Sequence, residues 1–209
     1  MLAFSSLLGN VEGQNIYRIW YDKPASYWEE ALPVGNGRIA AMVFGDPQLE
    51  QIQLNEETVS AGSPYQNYNE EAKTALPEMR RLIFEGKYEE AQNMAATKIL
   101  SQVGNEMPYQ TVGRLNIRYQ DHKKVNNYYR DLDISNAVAV TRYEVDGVEF
   151  TEETFASFTD QLVIRHIKAS KPGTINCELF FNTPMRDPKR SIYGKKGLRL
   201  EGITHGSSY

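Results

Sequence analysis

Polar side chains that could bind a ligand or hold an interface fall into two clusters in the first third of the chain. They are Asn36 and Arg38, within Gly35-Asn36-Gly37-Arg38, and the consecutive residues Asn55, Glu56, Glu57 and Thr58. The glycines beside Asn36 can adopt positive φ angles, so a tight turn would project the amide and guanidinium side chains. Taken alone, each cluster fits either a structured loop or the edge of a binding site.

Carboxylates are plentiful, and hydrolysis of a glycosidic bond needs two of them on either side of a sugar. Glu56 and Glu57 are adjacent, however, and adjacent residues of a strand point to opposite faces, so we do not expect them to form that pair. A second acidic run is typical of a solvated sheet face around a hairpin, and it comprises Glu144, Asp146, Glu149, Glu152 and Glu153. The pattern therefore identifies no catalytic residue.

Metal and nucleophile chemistry find little support in the sequence. None of the three histidines has a partner at a metal-ligand spacing, and the single cysteine, Cys177, excludes an internal disulfide framework. There is no Gly-X-Ser-X-Gly segment to carry a serine nucleophile. We predict no metal site and no cofactor.

Length and composition indicate an ordinary globular protein. The 209 residues carry 23 basic and 27 acidic side chains, and this net charge of −4 argues against a nucleic-acid partner. The 13 tyrosines, 8 phenylalanines and 2 tryptophans favour β-structure and surfaces that stack on sugar rings. No apolar run is long enough to span a membrane.

The first thirteen residues form a segment of their own. Leu2 to Leu8 is a short apolar stretch, and Val11-Glu12-Gly13 places small residues before a possible cleavage at Gln14, although no basic residue precedes them. We interpret residues 1–13 as either a possible signal-peptide remnant or a frayed terminus. The first interpretation predicts a periplasmic or extracellular protein.

Elements that would position the polar clusters follow from hydrophobic periodicity. Short apolar segments at 16–21, 39–44 and 49–54 are separated by Gly and Pro, which predicts strands and turns. Between Asn69 and Gln102 the period becomes helical, with Asn69 as a cap, Pro77 as the start of a helix and Gly86 as its end. This segment predicts a helical hairpin inserted into a β-protein.

Alternation dominates from Arg114 onward. Leu115, Ile117 and Tyr119 share one face of a strand, and Asp146-Gly147 separates two further alternating runs as a hairpin turn would. The pattern predicts a mainly β fold, an antiparallel sandwich with an inserted α-helical hairpin. The tail 206–209 ends on neither a cap nor an element, so we expect a truncated chain.

Several motifs, in order and spacing, closely resemble the N-terminal domain of glycoside hydrolase family 95. They are Trp20-Tyr21-Asp22-Lys23-Pro24-Ala25, Trp28-Glu29-Glu30-Ala31-Leu32-Pro33-Val34-Gly35-Asn36-Gly37-Arg38, Gln53-Leu54-Asn55-Glu56-Glu57-Thr58, Arg80-Arg81-Leu82-Ile83-Phe84-Glu85-Gly86-Lys87-Tyr88 and Met107-Pro108-Tyr109-Gln110. The family is known for α-L-fucosidases and some α-L-galactosidases. The resemblance implies an N-terminal β-supersandwich, a helical linker and an (α/α)6 barrel that hydrolyses its substrate with inversion.

The resemblance implies that the catalytic groups lie in the barrel, so none can be assigned to this chain. We expect residues 14–209 to be the β-supersandwich domain, inactive alone, whose partners are its own C-terminal catalytic barrel and the fucosylated oligosaccharide substrate. The site residues would then lie at or near the contact between sandwich and barrel, and they are Asn36, Arg38, Asn55, Glu56, Glu57 and Thr58. Two alternatives remain open, a free-standing carbohydrate-binding module and a purely structural domain.

Overall fold

The structure is a computed structural model that describes residues 17–61, 68–101 and 109–205. The predictions made for residues 1–13, for the tail at 206–209 and for Met107-Pro108 lie outside the described residues. The chain divides into two compact units. Among the described residues, the first unit comprises 17–57, 111–184 and 189–201, and the second comprises 58–61, 68–101, 109–110, 185–188 and 202–205.

Strands account for most of the described structure. In chain order they are β1 (Arg18–Tyr21), β2 (Leu32–Gly35), β3 (Ile39–Val43), β4 (Leu49–Glu56), β5 (Gly113–Tyr119), β6 (Val125–Asp133), β7 (Val138–Val145), β8 (Val148–Ser157), β9 (Leu162–Ala169), β10 (Cys177–Asn182), β11 (Arg186–Tyr193) and β12 (Gly197–Ile203). A 3-10 turn at Trp28–Glu30 precedes β2.

Two antiparallel five-stranded sheets form the first unit. The first sheet has the order β1-β6-β7-β8-β9, and the second sheet has the order β10-β5-β4-β3-β2. The strands β11 and β12 pair separately with each other. The Asp146-Gly147 turn joins β7 to β8 with both residues at positive φ, 49° and 71°, which confirms the predicted hairpin.

The two sheets pack face to face around one apolar core, which confirms the predicted antiparallel sandwich. Along β4, Ile52 is buried while the neighbouring Gln51 and Gln53 are only partly covered, because successive strand residues point to opposite faces. The buried residues of this core are Leu32, Val34, Ala41, Val43, Ile52, Ile117 and Tyr119 from the second sheet and Leu132 and Ala139 from the first.

The second unit contains the helical hairpin, which lies in the chain between β4 and β5 as predicted. It comprises α1 (Ala72–Phe84) and α2 (Tyr88–Met94), and α2 continues into a π-helical turn at Ala95–Ile99. Gly86, at φ +74°, ends α1, and its N–H donates to the Ile83 carbonyl at 3.1 Å. This stop was predicted.

The predicted restart of the helix at Pro77 is wrong, because α1 begins at Ala72 and passes through Pro77 without a break. The predicted role of Asn69 at the start of the helix is confirmed. Its Oδ1 accepts the Glu71 N–H at 3.0 Å, and its carbonyl accepts the Ala72 N–H at 3.0 Å, which sets the first turn ahead of the proline. The buried Asn69 also donates through Nδ2 to the carbonyl of Thr97 at 3.2 Å, so one residue joins the two ends of the hairpin.

Candidate functional site

The turn between β2 and β3 is fixed by the side chain of Asn36. Its Oδ1 accepts the backbone N–H groups of Arg38 at 3.1 Å and Ile39 at 2.9 Å, and Gly37 takes a φ of +93°. A side-chain oxygen that bonds the backbone two residues on is what makes Asn favourable in such turns. The predicted tight turn is therefore confirmed, but of the two side chains expected to project from it only Arg38 does so, because the Asn36 amide bonds back to the turn.

Asn36 also connects the two sheets at this end of the sandwich. Its Nδ2 donates to the Ser157 carbonyl at 2.8 Å and lies 3.4 Å from Oε1 of Gln161, and both partners are in or next to the turn between β8 and β9. The amide thus uses both of its ends within the protein. We assign Asn36 a shaping role, because its hydrogen-bonding atoms already have partners.

Arg38 and Glu56 form the charged part of the site. Nε of Arg38 lies 3.0 Å from Oε1 of Glu56, and the Arg38 carbonyl accepts the Glu57 N–H at 2.9 Å. The Arg38 side chain is 58% exposed, while Glu56 is 20% exposed. An exposed pair of this kind adds about 0–1 kcal/mol to stability, so folding alone gives little reason for these two charges.

Of the remaining predicted residues, Asn55 and Thr58 do not join this cluster, and Glu57 joins it through its backbone alone. Asn55 is on the opposite face of β4 from Leu54, which packs against the core, and its Oδ1 is buried without a hydrogen-bond partner in the described part of the chain. Glu57 is exposed, and Thr58, also exposed, is the first residue of the second unit. The structure therefore brings together Asn36, Arg38 and Glu56, with Glu57 attached through the backbone. We refer to these four residues as the β2–β4 cluster.

The expectation that the acidic run around the β7–β8 hairpin is solvated is wrong for Glu152. This residue is 1% exposed and points between the sheets, where the hydroxyl groups of Tyr119 and Tyr143 each donate to its Oε1 at 2.6 Å. Burial raises the pKa of Tyr119 to about 12 and raises that of Tyr143 further. The strand parity of β8 explains the error, because Glu152 shares its face with Val148 and Phe150.

Arg165 and Glu50 complete this buried network. The Arg165 guanidinium donates to Oε2 of Glu50 at 2.7 Å, to Thr154 Oγ1 at 2.8 Å and to Glu152. Glu50 in turn accepts the backbone N–H groups of Phe44, Gly45 and Gln51 at 2.9–3.2 Å. All three ionised groups are shielded from solvent, so they hold the two sheets together and are not available to a substrate.

His122 is a further buried polar residue whose surroundings could not be predicted from the sequence. Its ring is stacked on Tyr119, with centroids 4.4 Å apart, and lies edge-on to Phe150 at 4.5 Å. Its Nδ1 lies 2.9 Å from the carbonyl oxygen of Pro47, which identifies Nδ1–H as the donor. Burial lowers the pKa of His122, so the imidazole is held in its neutral form.

Within the described residues, no group of three or more His, Cys, Asp or Glu side chains is arranged to hold a metal ion. The helices described by the structure are too short or too polar to cross a membrane. The described residues thus contain a β-sandwich with a network of buried charges, and the Arg38–Glu56 pair is one of several exposed ion pairs on its surface.

Comparison with known proteins identifies the class of this domain. Residues 19–208 match the family described as "Glycosyl hydrolase family 65, N-terminal domain". The match covers most of the chain, and the chain therefore belongs to this family of glycoside hydrolase N-terminal domains. The match supports the prediction of a glycoside hydrolase N-terminal domain, but it does not identify family 95 in particular.

Three curated relatives are glycosidases by name. The chain is 37% identical to "Alpha-L-fucosidase 2" of Arabidopsis thaliana over 181 residues, which cover 84% of this chain and 21% of the relative. It is 26% identical to "Probable alpha-fucosidase A" of Aspergillus niger over 162 residues, or 73% of this chain and 20% of the relative. For "Probable alpha-fucosidase A" of Aspergillus oryzae the identity is 25% over 174 residues, 78% of this chain and 23% of the relative. The chain spans about a fifth of the length of these relatives.

Proposed function

We propose that this chain is the N-terminal, non-catalytic sandwich of an inverting exo-glycosidase of the family 95 type. The whole enzyme would remove terminal α-L-fucosyl or α-L-galactosyl residues from glycans, using catalytic groups in an (α/α)6 barrel outside this chain. The match to a glycoside hydrolase N-terminal domain and the 37% identity to a protein named as an α-L-fucosidase support the proposal. The single observation that carries it is this fucosidase relationship over 84% of the chain.

The burial of the charged residues supports a non-catalytic role. Inverting hydrolysis needs an acid and a base with room between them for a sugar and a water molecule. Glu50 and Glu152 are fully shielded and are held by Arg165, and Glu56 is paired with Arg38. Glu50 and Glu152 therefore serve packing, the Glu56 carboxylate is occupied by Arg38, and we expect this chain alone to hydrolyse nothing.

The β2–β4 cluster is the part of the sandwich that we propose to contact the catalytic barrel. Asn36 fixes the backbone of the turn, so Arg38 is presented from a rigid position and does not have to be ordered on contact. Arg38 and Glu56 also contribute little to the stability of the sandwich itself. A rigid, charged and half-exposed surface is typical of contacts between domains.

The activity is tested on the full-length protein that contains this chain. We expect it to release fucose from an aryl α-L-fucoside or galactose from the matching α-L-galactoside, with inversion visible by NMR of the first-formed sugar. The 209-residue chain alone should release neither. Hydrolysis by the chain alone, or retention of anomeric configuration by the full-length enzyme, would contradict the proposal.

The role of the β2–β4 cluster is tested by Arg38→Ala in the same full-length enzyme. The matched control is Arg118→Ala, because Arg118 is also half-exposed and paired with a carboxylate, Glu178 at 2.7 Å. We expect the Arg38 variant to lose roughly tenfold in kcat/KM, or about 1.4 kcal/mol of transition-state stabilisation, and the control to keep its activity. Equal kcat/KM in the two variants would remove the cluster from the proposed contact.

A further inference from the structure

Two aromatic side chains lie close together on the outer face of the first sheet. Trp20 is in the edge strand β1, and Tyr129 is in the neighbouring strand β6, two residues from Asp131, the register partner of Trp20. Tyr21 packs against the core, so Trp20, its neighbour in the strand, points to the opposite, outer side. Trp20 is 61% exposed, which is unusual for the largest apolar side chain.

The geometry of the two rings leaves their faces accessible. The rings are within 19° of parallel, and their centroids are 6.3 Å apart. With ring planes separated by the roughly 3.5–4.0 Å of carbon atoms in contact, this distance requires a lateral offset of about 5 Å. The rings therefore overlap little, and much of each ring face is not covered by the other ring. We call these two side chains the Trp20 platform.

Charged groups surround the platform and are rigidly held. Asp131 is fully buried on this outer face, and it is bound by Arg18 at 2.6 Å and by Arg142 at 3.4 Å. Arg18 also lies 3.3 Å from Asp133. Two guanidinium groups and two carboxylates balance in charge, so the set favours a neutral ligand over an anionic or a cationic one.

The arginines keep donor groups directed toward solvent. The Arg142 side chain is 46% exposed, and its contact with Asp131 involves Nη1. A guanidinium has five N–H donors, so several stay available beside the platform for the hydroxyl groups of a ligand. An apolar surface bordered by a few fixed polar groups is the usual composition of a small-molecule site.

We propose that the Trp20 platform binds a neutral pyranose unit of a glycan. The C–H groups on one face of the sugar would stack on Trp20 and Tyr129, and its hydroxyl groups would accept hydrogen bonds from Arg142. The inference goes beyond the proposed function, because such binding requires no hydrolysis and no barrel. It gives the sandwich a direct role in holding the glycan.

The two tryptophans of the chain provide a direct test. Trp28 is 50% exposed in the 3-10 turn, so Trp28→Phe leaves Trp20 as the single tryptophan, and Trp20→Phe is the matched control that leaves Trp28. Each variant of the 209-residue chain is titrated with 2′-fucosyllactose, and with sorbitol as an acyclic polyol. Emission and the indole N–H resonance are both recorded.

We expect a saturable change with 2′-fucosyllactose in the Trp28→Phe chain and none with sorbitol. Tyr129→Ala in that background should weaken binding about tenfold, as loss of an aromatic anchor does. No saturable change, an equal change in the Trp20→Phe chain, or an equal response to sorbitol would overturn the proposal. Circular dichroism of each variant establishes that the sandwich is folded.

The result is independent of the proposed function. The titration measures binding to the 209-residue chain and involves no hydrolysis. Failure of hydrolysis in the wild-type enzyme would refute the proposed function and leave the titration valid. Failure of the titration would refute the platform alone.

Discussion

Replacement of Arg165 by methionine is the sharpest test of how this sandwich is stabilised. In the native chain the guanidinium binds Glu50 and Glu152, one from each sheet, and its side chain is 7% exposed. Methionine preserves much of the apolar volume but removes the charge, which leaves two buried carboxylates without a counter-ion. Removal of one partner from a buried ion pair costs about 3–5 kcal/mol.

The structure places the expected loss within that range. Glu50 keeps three backbone N–H donors, and Glu152 keeps the two tyrosine hydroxyls, so neither carboxylate is left without hydrogen bonds. A loss of about 3–5 kcal/mol lowers the melting temperature by roughly 6–20 °C in a chain of this size. Against a total stability of about 5–15 kcal/mol, this loss removes at least about a fifth of the free energy of unfolding.

Urea unfolding followed by circular dichroism measures the effect, with Arg199→Met as the control. Arg199 pairs with Glu201 at 2.7 Å, but both side chains are half-exposed, so the same substitution should cost about 0–1 kcal/mol there. Adding Glu152→Gln to the Arg165 variant should restore at least about 1 kcal/mol, because it removes one of the two unpaired charges. The stabilising role of the network is refuted if Arg165→Met lowers the free energy of unfolding no more than Arg199→Met does. It is also refuted if the added Glu152→Gln restores none of the lost stability.

Three further predictions concern buried or strained positions. Gly45→Ala should lower the free energy of unfolding in urea by about 2–5 kcal/mol, because φ is +75° and the added Cβ would lie 2.8 Å from neighbouring side chains. The control Gly147→Ala has a similar φ of +71° but nothing within 4 Å of the added Cβ, so it should cost about 1–2 kcal/mol. Equal losses would contradict the argument from packing. His122 has a lowered native pKa, so the unfolded state binds the proton more readily and stability falls as pH drops below about 6.5. His122→Gln should flatten this dependence in urea unfolding measured at several pH values, and an unchanged dependence would contradict the argument from burial. The native pKa of Tyr119 is about 12, above the ordinary value of about 10, so stability should fall as pH rises between these values, and less steeply in Tyr119→Phe.

The sequence predicted the strands in which one face is apolar. In β7 and β8 most inward positions are apolar, namely Ala139, Tyr143, Val145, Val148 and Phe150, and a two-residue Asp-Gly turn fixes the register. Alternation therefore predicted both strands, although Thr141, Glu152 and Thr154 also point inward. By contrast β6 was not predicted, because its inward positions include Tyr128 and Arg130 and a bulge at Asn127 interrupts the period. The fully exposed β11 has no apolar face to detect.

The β2–β4 cluster was predictable in part for the same reason. The Gly-Asn-Gly turn carries its own conformational signal, and β3 pairs with β4 so that Ile39 is opposite Glu56, which brings Arg38 within reach. The bond from Asn36 to Ser157 joins residues 121 positions apart on different sheets. No local pattern reports such a contact, since it depends on how the two sheets pack.

Burial divides the charged residues of this sandwich into two groups with different consequences. Arg130 is fully buried, its Nη1 donates to the Glu30 carbonyl at 2.7 Å, and its guanidinium lies 4.0 Å from the centre of the Tyr21 ring, so its removal would leave unpaired groups in the interior. Arg38 and Arg142 are about half-exposed. The ion pair of Arg38 adds little to folding, whereas Arg142 shares the buried carboxylate of Asp131 with Arg18. A guanidinium that is partly exposed can contact another molecule, whereas a buried guanidinium cannot. We therefore propose Arg38 for the contact with the barrel and Arg142 for the contact with the glycan. The buried arginines, Arg130 and Arg165, instead stabilise the sandwich that carries these two exposed side chains.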